Sequence, residues 1–436
     1  MKTGITALSR PLTRAFTLTF LFLSFATTSF ATFTLDSTFA SVGRLTITFP
    51  DSVAGYSSRG LRIFVQPGGR ILAAGSFTRG TPDGQLPGVI VAGLLSGGTV
   101  DSSYANVPEW QSNGFTSLAD SLMYSDGRVL RLTNFFNVVG SSTVRAARLN
   151  ADGTTDSAFS SNASIGAQGG FGTAKPSQIL VRPDGKILVL IRENGEFFLY
   201  RLNIDGTRDT AFGVNGVVGI VFNKISSPSE AGLKMLALND GKILIAGNVP
   251  PVNFPAGSEE FFLARLSESG NWDKTFGRVG FVKMAFGPGL TGRIQDAVLQ
   301  PDGKVILCGS VSNSDMDTWM MRFRSNGRVD SLFGSAGVVV NDFAPGGSDA
   351  AAALAVSPDG KIRIAGSIGT PENFLVARFS SSGVLEDNIS FPFTPGQYAL
   401  AYDVTLQPDG KLLVIGETKN PDTATGSVFA IARLTE

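Results

Sequence analysis

The 436-residue chain contains no histidine and one cysteine, Cys308. The first absence removes Ser-His-Asp triads, imidazole bases and histidine-ligated zinc or copper. The second excludes an intrachain disulfide and a thiolate metal cluster, and it leaves Cys308, inside a strand-like run, as a small buried hydrophobe. No window carries a long helical period. A basic stripe is missing as well: 36 Lys and Arg balance 36 Asp and Glu, so the chain has no footprint for nucleic acid. No cofactor and no metal are called for.

Glycine (52) and phenylalanine (33) are plentiful, and short apolar runs bounded by Asp-Gly read as strands and tight turns. One phrase organises them. Gln300-Pro301-Asp302-Gly303-Lys304-Val305-Ile306-Leu307-Cys308-Gly309 has seven copies, with turn glycines Gly69, Gly127, Gly185, Gly241, Gly303, Gly360 and Gly410 spaced by 58, 58, 56, 62, 57 and 50 residues. Such a period signals a repeat architecture. Each unit parses into four strands; in the fifth these are A (295–300), B (304–309), C (318–324) and D (within 329–340). Pro301 presets a turn, Asp302 bonds back to the backbone and Gly303 takes a left-handed conformation.

The beginning of the chain predicts export. Lys2, Arg10 and Arg14 precede an apolar run over residues 15–25 and a small-x-small site, Ser29-Phe30-Ala31. A signal peptide over residues 1–31 is therefore expected to be removed, leaving 33 basic against 36 acidic residues. An uncleaved anchor would want a longer apolar run. The expected setting is secreted, periplasmic or cell-surface, in a bacterium, with no membrane span after cleavage.

Two further phrases recur. Strand C ends in an arginine, and eight residues on comes the acid of an Asp-x-x-Phe phrase taken to open strand D. The pairs are Arg148/Asp156, Arg201/Asp209, Arg265/Asp273, Arg322/Asp330 and Arg378/Glu386. A hairpin folded about a three-residue turn places i and i+8 opposite each other, so these read as structural ion pairs at the outer edge, worth about 0.2–1 kcal/mol if exposed. The chain stops on a strand C holding Arg433 and starts, after residue 31, on a strand D holding Asp36. Joined, they complete a seventh blade, so Arg433 and Asp36 should be neighbours. The expected fold is all-β: a single seven-bladed β-propeller over residues 32–436, built of four-stranded antiparallel blades. A solenoid would want capping repeats instead of complementary ends.

Some copies depart from the pattern. Gly93 replaces the strand C arginine of the first repeat and Gly68 its turn aspartate, Tyr104 stands in the aromatic position, and the sixth repeat has Ile389 where an aromatic should be. Together the three phrases resemble the delta-60 repeat family, over nearly all of residues 32–436. The resemblance implies a bacterial propeller in an exported, often surface- or adhesion-linked setting, and it carries over no catalytic residues.

Strand direction puts the short A–B and C–D turns on one face and the variable B–C and D–A loops on the other. The B–C connections run from residues 192–195 to residues 75–88 and 248–260. Varied loops on a uniform scaffold are where binding usually lives. Six residues before each turn aspartate position stand Arg62, Asp120, Gln178, Lys234, Asp296, Ala353 and Asp403, six of them polar. With strand A innermost, they ring the channel mouth. They either satisfy one another or form a ligand ring whose acids are Asp120, Asp296 and Asp403. Asn313-Ser314-Asp315-Met316-Asp317 alternates oxygen ligands faintly like a calcium loop, without its glycine or distal glutamate. Trp110, Phe254 and Tyr398 could stack on sugars or plug packing gaps.

The resulting expectation is a noncatalytic binding or interaction propeller, monomeric, engaging an envelope protein or glycan through its variable face. A polysaccharide hydrolase or lyase using channel-mouth carboxylates is the alternative from another class. A purely structural surface body is the third.

Overall fold

The Pro-Asp-Gly turn forms as its residue types dictate. In the fifth copy Gly303 sits at φ +80°, its N–H bonds the Gln300 carbonyl at 2.9 Å, and the Asp302 carboxylate accepts the Lys304 N–H at 3.1 Å. Strands Thr291–Leu299 and Val305–Ser312 therefore return antiparallel. Repeated along the chain, this hairpin builds seven antiparallel sheets. The computed structural model describes residues 32–48, 57–81, 84–105, 108–109, 114–137, 142–162, 164–165, 175–193, 196–220, 233–249, 260–286, 290–312, 315–419 and 426–436. The expected signal segment lies outside them.

The seven A strands are Ser58–Val65, Gly114–Met123, Lys175–Val181, Lys234–Ala237, Thr291–Leu299, Asp349–Val356 and Ala399–Leu406, in blades one to seven. Each touches the A strands of the blades on either side, closing a ring around an axis. Apolar side chains on both faces of strands B and C then form seven seams between adjacent blades, such as Leu244, Phe261, Leu307 and Trp319 between blades four and five. The seams are the core of this seven-bladed propeller.

Closure follows from the ends. Strand Ser427–Thr435 pairs with Thr34–Leu35 and then with Arg44–Ile47, so residues from both ends of the chain share blade seven. Arg433 Nε bonds Asp36 Oδ2 at 2.7 Å.

Three details differ from the sequence reading. First, Asp-x-x-Phe does not open strand D. It forms a turn that leaves the sheet, and strand D resumes only at Val217, Phe281 and Val338 in blades three, four and five. The aspartate caps this turn, as Asp273 does by accepting the Thr275 N–H at 3.0 Å, while the phenylalanine is driven into the seam, Phe276 being 1% exposed. Second, among the described residues blade one has three strands, and a bridge between Val89 and Glu109 stands where its fourth strand would lie. Third, blade six has a continuous outer strand, Leu385–Phe391, with no turn to deliver an aromatic. Phe33 fills that place: its N–H bonds Asp387 Oδ2 at 2.5 Å and its ring lies 5.3 Å from the Arg378 guanidinium.

Candidate functional site

On the face of the short turns, the strand C arginines are buried, so the magnitude for an exposed pair does not apply to them. Arg265 is 7% exposed; its Nε bonds Asp273 at 2.9 Å, its Nη1 bonds the Ser325 carbonyl of blade five at 2.5 Å, and its guanidinium stacks 4.7 Å from the Phe276 ring. Arg148, Arg201, Arg322 and Arg433 repeat the set, with ring distances of 4.4–4.8 Å. Each of these arginines reaches a turn carbonyl of the following blade: Ile204, Glu268, Ser381 and Ser96. The acids draw a second cation from the A–B turn, as in Lys186 with Asp209 and Lys411 with Asp36. Arg378 pairs with Glu386 at 3.1 Å, and Lys361 joins them. Arg148 keeps Asp156 at 2.7 Å, and Arg322 keeps Asp330 at 3.0 Å. Burial pushes the Asp273 carboxyl up, but its bonds from Thr275 and the charges of Arg265 and Lys242 outweigh that and hold it down at about 2. These groups stitch blade to blade.

Around the axis, six of the A strands carry a bulge immediately before the polar column, with Leu61, Ala119, Ser177, Gln295, Ala352 and Tyr402 as the extra residues. The bulge turns the next side chain toward the following blade. Asp120 accepts the Ile179 N–H at 3.1 Å, Asp296 that of Leu354 at 2.9 Å and Asp403 that of Ile63 at 2.9 Å; Gln178 accepts from Met235. Arg62 bonds Asp120 at 2.8 Å and Lys234 approaches Asp296 at 3.3 Å. All six polar column residues therefore meet in one ring, and each acid is committed to a backbone N–H of its neighbour. Burial lifts the Asp403 carboxyl to about 6, against the opposing charge of Arg62 and the Ile63 N–H. Cys308 lies behind the ring, fully buried, its thiol pushed up by burial.

Sequence reading missed two other groupings. Glu417 is 6% exposed and accepts from Tyr402 Oη at 2.7 Å and Ser427 Oγ at 2.8 Å, with Arg59 at 3.7 Å. Asp317 is joined by Asp342 and Asp349, ligand oxygens lying within 4.8 Å of one another, the sort of set that could hold a metal. Both Asp349 oxygens already accept backbone N–H groups, from Thr318 and Phe343, and burial raises its carboxyl to about 6. Asn313, Ser314, Trp110 and Phe254 lie outside the described residues. Tyr398 is partly buried and its backbone carbonyl accepts the Thr418 hydroxyl at 2.9 Å.

On the variable face, blade one departs from its expected loop. Residues 75–88, read as a loop, are two strands: Ile71–Thr81 and Gly84–Leu94 pair as far as Thr81 opposite Gly84. The described part of strand A pairs from Ser58, opposite Phe77, and Ser57 still accepts the Thr78 N–H at 2.9 Å; residues 49–56 before it lie outside the described residues. The hairpin of strands B and C itself continues from Thr78/Pro87 to Thr81/Gly84, about 13 Å at the usual rise per residue.

Segments 125–159, 238–276, 300–333, 357–387 and 407–436 match the family described as "Domain of unknown function (DUF5122) beta-propeller". They fall on five of the seven repeats. No curated protein matches the sequence. Among solved structures, a protein of unknown function from Dyadobacter fermentans is similar over 90% of this chain and 98% of its own, at 12% identity and a TM-score of 0.46. The beta-propeller domain of Vanderwaltozyma polyspora Nup133 matches over 89% and 100%, at 10% identity and 0.43. A prolyl endopeptidase matches over 88% of this chain and 50% of its own, at 10% identity and 0.43, so this chain spans half its length.

Proposed function

We propose that the chain is an exported, noncatalytic interaction propeller of the delta-60 kind, which engages an envelope protein or glycan through the variable face beside blade one. The observation that carries this reading is the long B–C hairpin of blade one, its strands paired to each other out to Thr81/Gly84 on the variable face of a closed ring. A paired hairpin on a fixed scaffold offers a partner an ordered backbone at little ordering cost. The hydrolase or lyase alternative would need carboxylates free to act as acid and base. Asp120, Asp296 and Asp403 instead hold backbone N–H groups of the next blade.

The test compares the secreted wild-type protein with a variant in which residues 78–87 are replaced by a two-residue Asn-Gly turn. Both are immobilised and exposed to envelope and polysaccharide extracts. Retention of an intact component by the wild type only, at equal thermal stability, supports the reading. Equal retention by both proteins, or shortened glycan in the eluate, overturns it.

A further inference from the structure

The seven repeats are their own reference, and several departures from them converge on one seam. Arg131, in strand Val129–Asn137 of blade two, stands where the other blades carry Ala73, Val189, Ile245, Leu307, Ile364 and Val414. Ser121 stands where they carry Ile63, Ile179, Met235, Ala297, Leu354 and Val404. Arg145 replaces residues that are apolar elsewhere, such as Ile90, Phe262 and Trp319. Blade one answers with Tyr104 in the phenylalanine position and Gly93 in the arginine position. A Cβ at residue 93 would lie 2.6 Å from Tyr104, so that ring has taken the space the arginine would need.

Sheet geometry puts these groups together. Ser121 pairs with Arg131, and Thr133 with Arg145, so their side chains share a face of blade two. The same face carries Leu118 and Val129, which pack on Leu72, Ala74, Val91 and Tyr104 of blade one. Arg131 is 3% exposed, Ser121 4% and Thr116 3%. Arg131 Nη2 bonds Glu109 Oε2 at 2.6 Å, and Arg145 Nη1 bonds Oε1 of the same carboxylate at 3.3 Å. One acid thus serves two guanidiniums, and the cluster retains a positive charge. Among the described residues, Arg131 Nε, Ser121 Oγ and Thr116 Oγ1 have no hydrogen-bond partner. Buried donors are normally satisfied, and an unmet donor on a buried cation is the costliest kind.

We propose that the seam between blades one and two binds a small oxyanion, the carboxylate or phosphate group of a ligand, through the Arg131 Nε–H and the hydroxyl of Ser121, its direct cross-strand neighbour. An oxyanion meets both requirements at once: it accepts from these two donors and neutralises the excess charge. Burial pulls the Arg131 pKa down against the Glu109 charge, the direction in which a bound anion would be favourable. Glu109 and Arg145, both partly exposed, mark the edge through which the anion would enter.

Thermal unfolding and calorimetric titration of the whole chain with acetate, inorganic phosphate or chloride at fixed ionic strength test this. Acetate or phosphate should raise the midpoint in proportion to the logarithm of concentration, chloride should not, and the stronger of the two identifies the ligand group. Arg131→Leu, which restores the residue type of the other blades, should abolish the effect; Ser121→Ala should weaken binding about tenfold. Arg328→Ala, on an exposed turn of blade five, should leave it unchanged. No rise beyond chloride, or equal binding by Ser121→Ala, would show that water satisfies these donors and overturn the proposal, even if Arg131→Leu proved unable to fold.

Discussion

Arg433 and Asp36 are 397 positions apart in the chain and 2.7 Å apart in the structure. Arg433 also stacks 4.8 Å from Phe39 and reaches the Ser96 carbonyl in blade one, so a single guanidinium ties the last strand to the first turn and to the next blade. Burial pushes the Asp36 carboxyl up, yet bonds from Thr38 and Lys411 and the Arg433 charge hold it well below the usual carboxylate range. Arg433→Met leaves a buried acid without its main partner and should cost about 3–5 kcal/mol, read by denaturant unfolding. Arg433→Met with Asp36→Asn should recover part of that loss. A single variant within about 0.5 kcal/mol of wild type would show that the ring is closed by the backbone ladder alone.

A second prediction concerns Phe33, which completes blade six from the opposite end of the chain. Its ring is 5% exposed in the seam between blades six and seven. Phe33→Ala should cost about 3–5 kcal/mol, as for other buried aromatics. Hydrogen exchange should rise first in the outer strand Leu385–Phe391. Ile389→Phe should not rescue it, because residue 389 sits in that strand opposite Val376 and not in a turn that reaches the seam.

The axial ring yields a pH prediction. Asp403 titrates near 6 in the folded protein and near 4 unfolded, so the folded state holds the extra proton between those values. Its neutral form therefore contributes stability that is complete below about pH 4 and lost as pH rises through 6. Asp403→Asn keeps an acceptor for the Ile63 N–H and removes the ionisation. It should equal wild type at pH 4 and exceed it by about 2 kcal/mol at pH 7, the full shift being moderated by the partly exposed edge toward the axis. A stability difference flat from pH 4 to pH 7 would refute the assignment.

The repeat, the turn chemistry and the closure are legible in the sequence because each rests on local residue types at a fixed period: Gly303 in its turn, Arg265 eight before Asp273. The contacts of Arg265 with the Ser325 carbonyl and the Phe276 ring depend on the next blade and on a turn leaving the sheet, which no local pattern states. Counting back from each turn reaches the ring residues, but the bulge that aims Asp296 at Leu354 is a register shift invisible in residue order. Phe33 carries no signal of its own because it precedes every repeated phrase. Arg131 could have been found by comparing repeats column by column, where it is the one charge among six aliphatic residues.

The last prediction separates two glycines that look alike in the repeated phrase. Gly410 opens the seventh strand B from a turn, at φ +84°, with nothing within 4 Å of the place a methyl group would occupy. There Gly410→Ala meets only the left-handed backbone penalty of about 1–2 kcal/mol. Gly309 closes the fifth phrase at an ordinary φ, but a Cβ there would fall 1.8 Å from the Arg293 carbonyl oxygen, held in place by the bulge. Backbone cannot yield as a side-chain tip can, so Gly309→Ala must displace the strand A backbone at Arg293; blades two and three, which carry Thr133 and Ile191 at this position beside the same bulge, show that the bulge itself survives a side chain there. It should therefore cost more than about 3 kcal/mol and depress the midpoint well beyond Gly410→Ala. If the two substitutions prove equal, strand A of blade five gives way at residue 293 as readily as the bulged strands beside Thr133 and Ile191 accommodate their side chains, and the close approach at Gly309 carries no stability cost of its own.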